Sequence, residues 1–575
     1  MIKKFENAVN TDIYGKHPLY PVRDVSTIRE MFDSSTELFE QNTAFLVKDK
    51  LGAPYREIKY AQLRKDVYAL ATALIKHGLK DHKIAVIGEN RYEWAITYLA
   101  VVCGVGTIVP LDKELPAEEV QNLLDRAKVS CLVFSKKIRK RDPEIFERLG
   151  DTLPICMDDG EDELTLSKLI AEGQQLLDQG DHSFADTTVA PEDVNIILFT
   201  SGTTGLAKGV MLSQKNIASN LMNMCSLCEI TESTRFFSVL PLHHTYECTC
   251  GFLCPLYRGA SIAYCEGLKY MVKNMKEAHP SYFLGVPLIV ESIYRQIWKT
   301  IEKKGMAKKV KMGLKLSNAL LKVGIDIRHQ LFQEIHDTLG GRMYMFVTGA
   351  AAIDPQVSKG FREFGINVIQ GYGLTECSPI AAVNRDVYFE DASVGLPPPE
   401  VAAKILNPDK DGIGEILIKG DNVMVGYYED PEKTKEVLID GWLHTGDLGY
   451  IKKGFIYITG RAKDVIVTAN GKNVFPEEVE TYLCRSPYIA ECMVYGNVDK
   501  LGNETMVAAH IFPNFDEVKQ KLGINYTQQA LHDLIAGEIK AVNQKMPSYK
   551  SVQDFDIRQE EFIKTTTKKI KRFAN

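Results

Sequence analysis

Apolar positions along this chain fall into two alternating periods. Leu63, Val67, Leu70 and Leu74 recur every three to four residues, and Gly78 follows where a left-handed cap would stand. That spacing predicts an amphipathic helix over residues 60–77. A short β-branched run at 84–87 then ends in Gly88, which predicts a strand. The apolar stretch 94–111 is about as long as a membrane span, but Thr97, Gly104, Gly106, Thr107 and Pro110 interrupt it. It reads as a buried helix over roughly 93–103 that turns at its glycines into a core strand. Helix followed by apolar strand returns through residues 131–134, and this alternation predicts an α/β fold with largely parallel sheets.

The texture changes around 440–475. Residues 450–458 read as a hairpin closing at Lys452, Lys453 and Gly454, and a charged, turn-rich stretch follows, so a domain boundary is expected there. Beyond it come strands at 492–495 and 506–512 and a helix after Thr527 with Leu531, Leu534, Ile535 and Val542 on one face, enough for a small α+β domain. By composition alone the terminal KKIKR is a solvated basic tail. No fixed-period repeat is present.

Composition narrows the function. With 575 residues, 45% hydrophobic and 25% charged, the chain exceeds what one core can hold, so several subdomains are expected. A net charge of -6 gives no overall footprint for nucleic acid or an anionic membrane and points to small-molecule partners. The N-terminal MIKKFENAVNTDIYGKHPLY lacks the apolar core and cleavage site of a secretory signal, so the cytoplasm is expected, with peripheral membrane association left open. Twelve cysteines in such a chain suggest reduced thiols. Of Cys225, Cys228, Cys248, Cys250 and Cys254, only the first two have a usual metal-ligand spacing, and the group reads as buried thiols.

Residues 194–213 carry the strongest chemical signal. An apolar strand at 194–199 runs into Thr200-Ser201-Gly202-Thr203-Thr204-Gly205-Leu206-Ala207-Lys208-Gly209, with a helix expected after Ser213. Glycines let backbone N–H groups approach a polyphosphate, hydroxyls add donors, and Lys208 adds positive charge. The spacing is not that of a Walker A loop, because glycine follows Lys208. The same composition would suit a flexible surface loop, and the loop alone does not choose between the two.

The loop TSGTTGLAKGV resembles the signature of the adenylate-forming superfamily, which includes acyl-CoA synthetases, luciferases and peptide-synthetase adenylation domains. Further segments match that family in order: LPLHHTYE at 240–247, Gly349-Ala350-Ala351, Gln370-Gly371-Tyr372-Gly373-Leu374-Thr375-Glu376, DGWLHTGD at 440–447, Gly460-Arg461-Ala462-Lys463-Asp464 and KTTTKKIKR at 564–572. The resemblance spans about residue 30 to the end and is closest to the bacterial long-chain fatty acyl-CoA synthetases. It implies a large N-terminal AMP-binding domain of stacked α/β subdomains at 1–460 and a small mobile α+β domain at 461–575, hinged near Lys463.

The resemblance also implies roles. Thr200, Ser201, Gly202, Thr203, Thr204, Gly205 and Lys208 would cradle the phosphates of ATP. Glu376, with Thr204, would organise Mg2+, since a hard ion takes carboxylate, hydroxyl and phosphate oxygens. Tyr372 would stack on adenine, with Gly349, Ala350, Ala351, Gln370, Gly371, Gly373 and Thr375 around it. Asp447 would accept from both ribose hydroxyls and Arg461 would reach the same side, although an ion pair between Asp447 and Arg461 is the alternative. Lys569 would bridge the carboxylate and the α-phosphate. This chain has Ile563 and Lys568 where relatives often have proline and glycine, so the adjacent Lys568 is the alternative, while Ile570 and Arg572 favour Lys569. For the second half-reaction, Lys463 would be the hinge and Gly471 would border the CoA tunnel.

LPLHHTYE and DGWLHTGDLGY resemble the fatty acyl branch, so a medium- or long-chain fatty acid is the expected substrate, activated as acyl-AMP and passed to CoA. His244 would stand near the acyl carboxylate, with His243 a core neighbour. Residues 251–256 and 282–290 are expected acyl walls. An acyl carrier protein ligase, another acid-CoA ligase and a non-catalytic nucleotide-binding scaffold are the competing readings.

Overall fold

The computed structural model describes residues 1–575 except 7, 10, 161–163, 201–206, 469–471, 499–504, 566–568 and 573–575. The chain divides into two compact units, one of residues 1–402 and 418–443, the other of 403–417 and 444–575.

Two sheets organise the first unit. In the eight-stranded sheet, strands Thr43–Val47, Ser261–Tyr264, Arg235–Ser238, Tyr282–Gly285, Met345–Thr348 and Asn367–Gly373 are parallel neighbours, and Arg56–Lys59 and Ile380–Val383 close the two edges antiparallel. The seven-stranded sheet has a parallel centre of Leu153–Cys156, Cys131–Phe134, His82–Ile87, Gly106–Pro110 and Val194–Thr200, extended antiparallel by Lys208–Ser213 and Gly426–Tyr427. Helices that cover parallel strands need one strongly apolar face. Helix Tyr60–Lys76 supplies one: Leu63, Val67, Leu70 and Leu74 are all fully buried, and Gly78 takes the left-handed conformation (φ 77°) that ends the helix.

The stretch 94–111 is a buried helix, Tyr92–Ala100, a π turn, Val101–Val105, and a core strand, as its interruptions predict. No helix among the described residues is long and apolar enough to cross a membrane. None of the twelve cysteines is in a disulfide, and Cys225, Cys228, Cys248, Cys250 and Cys254 are buried.

The second unit holds a hairpin in which residues 447–452 of the strand Trp442–Lys452 pair with Phe455–Arg461, and a three-stranded sheet of Ile489–Val498, Thr505–Pro513 and Asp554–Ile557. Val479, Leu483, Leu531 and Ile535, on helices Pro476–Leu483 and Gln528–Asn543, share one core with Ile489, Val494, Val507 and Ile511 of the sheet. Thr527 caps its helix by accepting from the Ala530 N–H at 3.1 Å.

Candidate active site

Parallel strands of the larger sheet end together at residues singled out by the sequence. Thr348 lies opposite Gln370 in the parallel pair Met345–Thr348 and Asn367–Gly373. Gly349-Ala350-Ala351 therefore leaves the sheet beside Gly371-Tyr372-Gly373, at the carboxyl edge where open α/β sheets bind ligands. Ala350 is exposed with φ 71°, a conformation costing a non-glycine residue of order 1 kcal/mol and kept only where the surroundings impose it. Buried Gln370 braces this turn, its Oε1 accepting from the Ile353 N–H at 3.2 Å. Tyr372 is buried opposite Ala382. At Gly373 only glycine fits, since a Cβ would stand 2.0 Å from the Pro379 carbonyl oxygen.

Glu376 sits half-buried on the short turn Thr375–Cys377. Its Oε1 accepts a 2.9 Å hydrogen bond from the Tyr427 hydroxyl, and its backbone carbonyl accepts from Met424 at 2.9 Å. Tyr427 pairs with Val210 in the antiparallel contact between Gly426–Tyr427 and Lys208–Ser213, and Lys208 Nζ stands 5.2 Å from the Tyr427 ring centroid. One tyrosine thus joins the base of the glycine-rich loop to Glu376. Sequence reasoning missed it, because nothing local to Gly426-Tyr427-Tyr428 marks a partner 51 residues away.

The strands on either side of the glycine-rich segment pair antiparallel, with Thr200 opposite Lys208. Ser201, Gly202, Thr203, Thr204 and Gly205 lie outside the described residues. The sequence reading passes from this loop directly to a helix, whereas the structure interposes strand Lys208–Ser213, which buries Val210 and Leu212. Two alternating apolar residues beside a glycine-rich loop are too short a pattern to reveal it. The helix begins at Gln214, as expected, with a capping box between Ser213 and Asn216.

The segment 240–247 abuts this cluster. The Thr245 and Thr375 hydroxyls lie 3.4 Å apart, and the Tyr246 hydroxyl donates to the Val347 carbonyl at 3.0 Å. His244 Nδ1 accepts from the Tyr246 N–H at 3.2 Å, so its neutral ring carries the proton on Nε2. Burial pushes its pKa down to about 4, reinforced by His243 and opposed by Asp112. His243 is largely buried, a core setting that also supplies a polar neighbour: its Nε2 lies 3.6 Å from Asp112, and burial lowers its pKa against the opposing charge of Asp112. Asp112 follows the strand Gly106–Pro110 of the other sheet, a neighbour that no local pattern reveals.

Glu247 ends the segment LPLHHTYE that resembles the fatty acyl branch. It is 1% exposed on the π-helical segment Tyr246–Leu253, and its carboxyl lies across Gly251, where a Cβ would be 2.7 Å away. Ser238 Oγ donates to Oε1 at 2.5 Å, and Oε2 has no hydrogen-bond partner among the described residues. Burial pushes its pKa up to about 8, against the Ser238 hydrogen bond that lowers it. At neutral pH this carboxyl is largely protonated.

The other expected residues belong to the second unit. Buried Asp447 faces Arg461 across the hairpin, with Oδ1 2.7 Å from the guanidinium Nε. Thr445 positions both, accepting from the Asp447 N–H through Oγ1 at 3.1 Å and from Arg461 Nη1 through its carbonyl at 3.3 Å. Lys463, on the turn Ala462–Asp464, lines a cleft of about 470 Å³ with Met493, Tyr495 and Arg572. Gly471 and Lys568 lie outside the described residues. Lys569 is exposed; its N–H donates to Thr565 Oγ1 at 3.1 Å, and its carbonyl accepts from the Thr565 N–H at 2.8 Å. Arg572 anchors this end of the chain, donating to both Glu480 oxygens at 2.7 and 2.8 Å and lying 3.7 Å from Asp464.

Comparison with known proteins is consistent with this arrangement. Residues 32–428 match the family described as AMP-binding enzyme, and residues 463–573 match the AMP-binding enzyme C-terminal domain. Long-chain-fatty-acid-CoA ligase 5 of Rattus norvegicus is 32% identical over 516 residues, covering 83% of this chain and 74% of its own. Long chain acyl-CoA synthetase 2 of Arabidopsis thaliana is 28% identical over 532 residues, covering 86% and 79%. Among solved structures, the anthranilate CoA ligase AuaEII in complex with anthranoyl-AMP superposes with a TM-score of 0.76 at 19% identity, covering 95% of this chain and 96% of its own. ATP-bound MatB from Rhodopseudomonas palustris gives 0.71 at 23%, covering 95% and 98%. These two neighbours share the adenylate-forming fold, and with the family match covering most of its length, the chain belongs to the AMP-binding enzymes.

Proposed function

We propose that the protein is an AMP-forming acyl-CoA synthetase acting on a medium- or long-chain fatty acid. A carboxylate oxygen attacks the α-phosphorus of ATP and the bond to pyrophosphate breaks; the CoA thiol then attacks the acyl carbon and AMP leaves. The observation that carries this reading is the Lys208–Tyr427–Glu376 arrangement, which joins a cation next to the glycine-rich sequence to a half-buried carboxylate. The fatty acid is supported by the 32% identity to a long-chain-fatty-acid-CoA ligase.

Glu376, with Thr204, suits an ion held otherwise by phosphate oxygens and water, as Mg2+ is in nucleotide sites. When bound, Mg2+ would neutralise phosphate charge. Tyr427 would hold Glu376 in orientation, Lys208 would add positive charge, and His244 would donate from Nε2 to the acyl carboxylate. Lys569 is the proposed adenylation lysine, Asp447 and Arg461 the ribose ligands, and Lys463 the hinge of a C-terminal domain beginning at 461. Twelve cysteines kept as thiols suit a reducing compartment, the cytoplasm.

The test is pyrophosphate release with acids from acetate to long saturated chains, followed by addition of CoA. Acid-dependent release and thioester formation, strongest with long chains, are expected. No acid-dependent release would leave a nucleotide-binding scaffold, and release without CoA thioester would favour a carrier-protein acceptor.

A further inference from the structure

Residues 303–325 depart from the rest of the chain: they contain seven lysines and no aspartate or glutamate, in a protein whose net charge is -6. They include helix Ala307–Leu321 and the turn that follows. One side of the helix is committed to the core, with Val310 and Leu314 packed on the same cluster as helix Pro287–Lys303. Asn318 turns to Glu363 at 3.1 Å.

The opposite side has no such cover. Met312 is 67% exposed, Leu316 54% and Val323 72%, and Ile325 is also exposed. At about 100° per residue, Lys308, Lys311 and Lys315 fall in one strip of the helix and Met312 and Leu316 in the strip beside it, with Lys322, Val323 and Ile325 in the turn that follows. Lys304 is neutralised by Glu334 and Asp326 pairs with Arg328, but among the described residues Lys308, Lys309, Lys315 and Lys322 have no carboxylate partner. Scattered exposed apolar side chains are ordinary, but a contiguous group bordered by one sign of charge marks an interaction surface.

We propose that this face docks on an anionic lipid surface, the lysines meeting headgroup phosphates while Met312, Leu316, Val323 and Ile325 enter the boundary with the acyl chains. Charge complementarity selects this occupant. A row of ammonium groups beside apolar side chains matches the layered chemistry of a bilayer surface, and each basic residue near such a surface strengthens binding by a similar increment. The whole-chain charge hides this surface because acids elsewhere outnumber its lysines. The inference stands on this surface and does not depend on which acid the enzyme activates.

Sedimentation of the full chain with phosphatidylcholine vesicles, with and without about a third phosphatidylglycerol, tests it. Binding is expected only to the anionic vesicles and should weaken with added salt. K308Q/K315Q should reduce it roughly 30-fold, and M312Q/L316Q should reduce it further while leaving thermal unfolding and pyrophosphate release in solution unchanged. Failure of the wild-type chain to sediment with anionic vesicles, equal sedimentation with neutral ones, or sedimentation of both variants like wild type would overturn the proposal.

Discussion

Tyr427 donates its hydroxyl proton to Glu376 across 51 residues of sequence, at 2.9 Å, while its ring faces the Lys208 ammonium. A hydrogen bond to a charged group contributes about 1.5–3 kcal/mol, roughly ten- to a hundredfold in a rate that depends on it. Tyr427→Phe should therefore lower acid-dependent pyrophosphate release by at least about tenfold and raise the Mg2+ concentration needed for half-maximal rate. An unchanged Mg2+ requirement would show that Tyr427 does not orient Glu376 toward the ion.

Glu247 carries a folded-state pKa near 8 against an ordinary value of 4.5. Between those values the native state keeps a proton that the unfolded chain has released, so this group's contribution to stability is full below 4.5 and is lost as pH rises toward 8. The loss is at most about 1.4 kcal/mol per pH unit. Glu247→Gln keeps the shape and the neutral charge, so its unfolding midpoint should decline less between pH 5 and pH 8 than that of wild type. Parallel curves for the two proteins would refute a protonated Glu247. Ser238 is the group that holds the acid in place, and Tyr264 and Cys248 are neighbours whose own pKa values its charge would raise.

His244, with its pKa held down to about 4 by burial, stays neutral above pH 5. The rate of adenylate formation should therefore show no histidine limb near 6.5, and its acid limb should fall near 4 wherever the protein remains folded. Activity that tracks a group titrating between 6 and 7 would mean that this ring is not the donor near the carboxylate.

Arg572 donates to both Glu480 oxygens, one of which also accepts from the Val494 N–H at 2.7 Å. Removing the guanidinium leaves that single backbone donor to a carboxylate whose pKa burial already raises, a loss of about 3 kcal/mol for a largely buried pair. Arg572→Met should lower the denaturation midpoint of the second unit, and adding Glu480→Gln should recover part of it. If the single and double variants unfold alike, the pair is not what anchors the chain end that carries Lys569.

Lys569→Ala should abolish acid-dependent pyrophosphate release yet leave thioester formation from supplied acyl adenylate and CoA largely intact. Equal loss in both half-reactions would defeat the assignment of Lys569 to adenylation alone.

The sequence by itself determined the local elements and the order of the motifs. Leu63, Val67, Leu70 and Leu74 lie on one buried helix face, Ser213 and Thr527 cap helices, and 94–111 folds into helix and strand, because period, capping and glycine placement act over a few residues. Tertiary structure alone decided what depends on distant neighbours. It brought Tyr427 to Glu376, turned residues 208–213 into a strand, gave His243 the polar partner Asp112, and buried Glu247 so that its carboxyl keeps a proton. It also left the lysines of 303–325 beside uncovered Met312 and Leu316, a local surface that summed charge could not disclose. Desolvation and pairing across a fold are set by packing between elements far apart in the chain, and no window of sequence contains them.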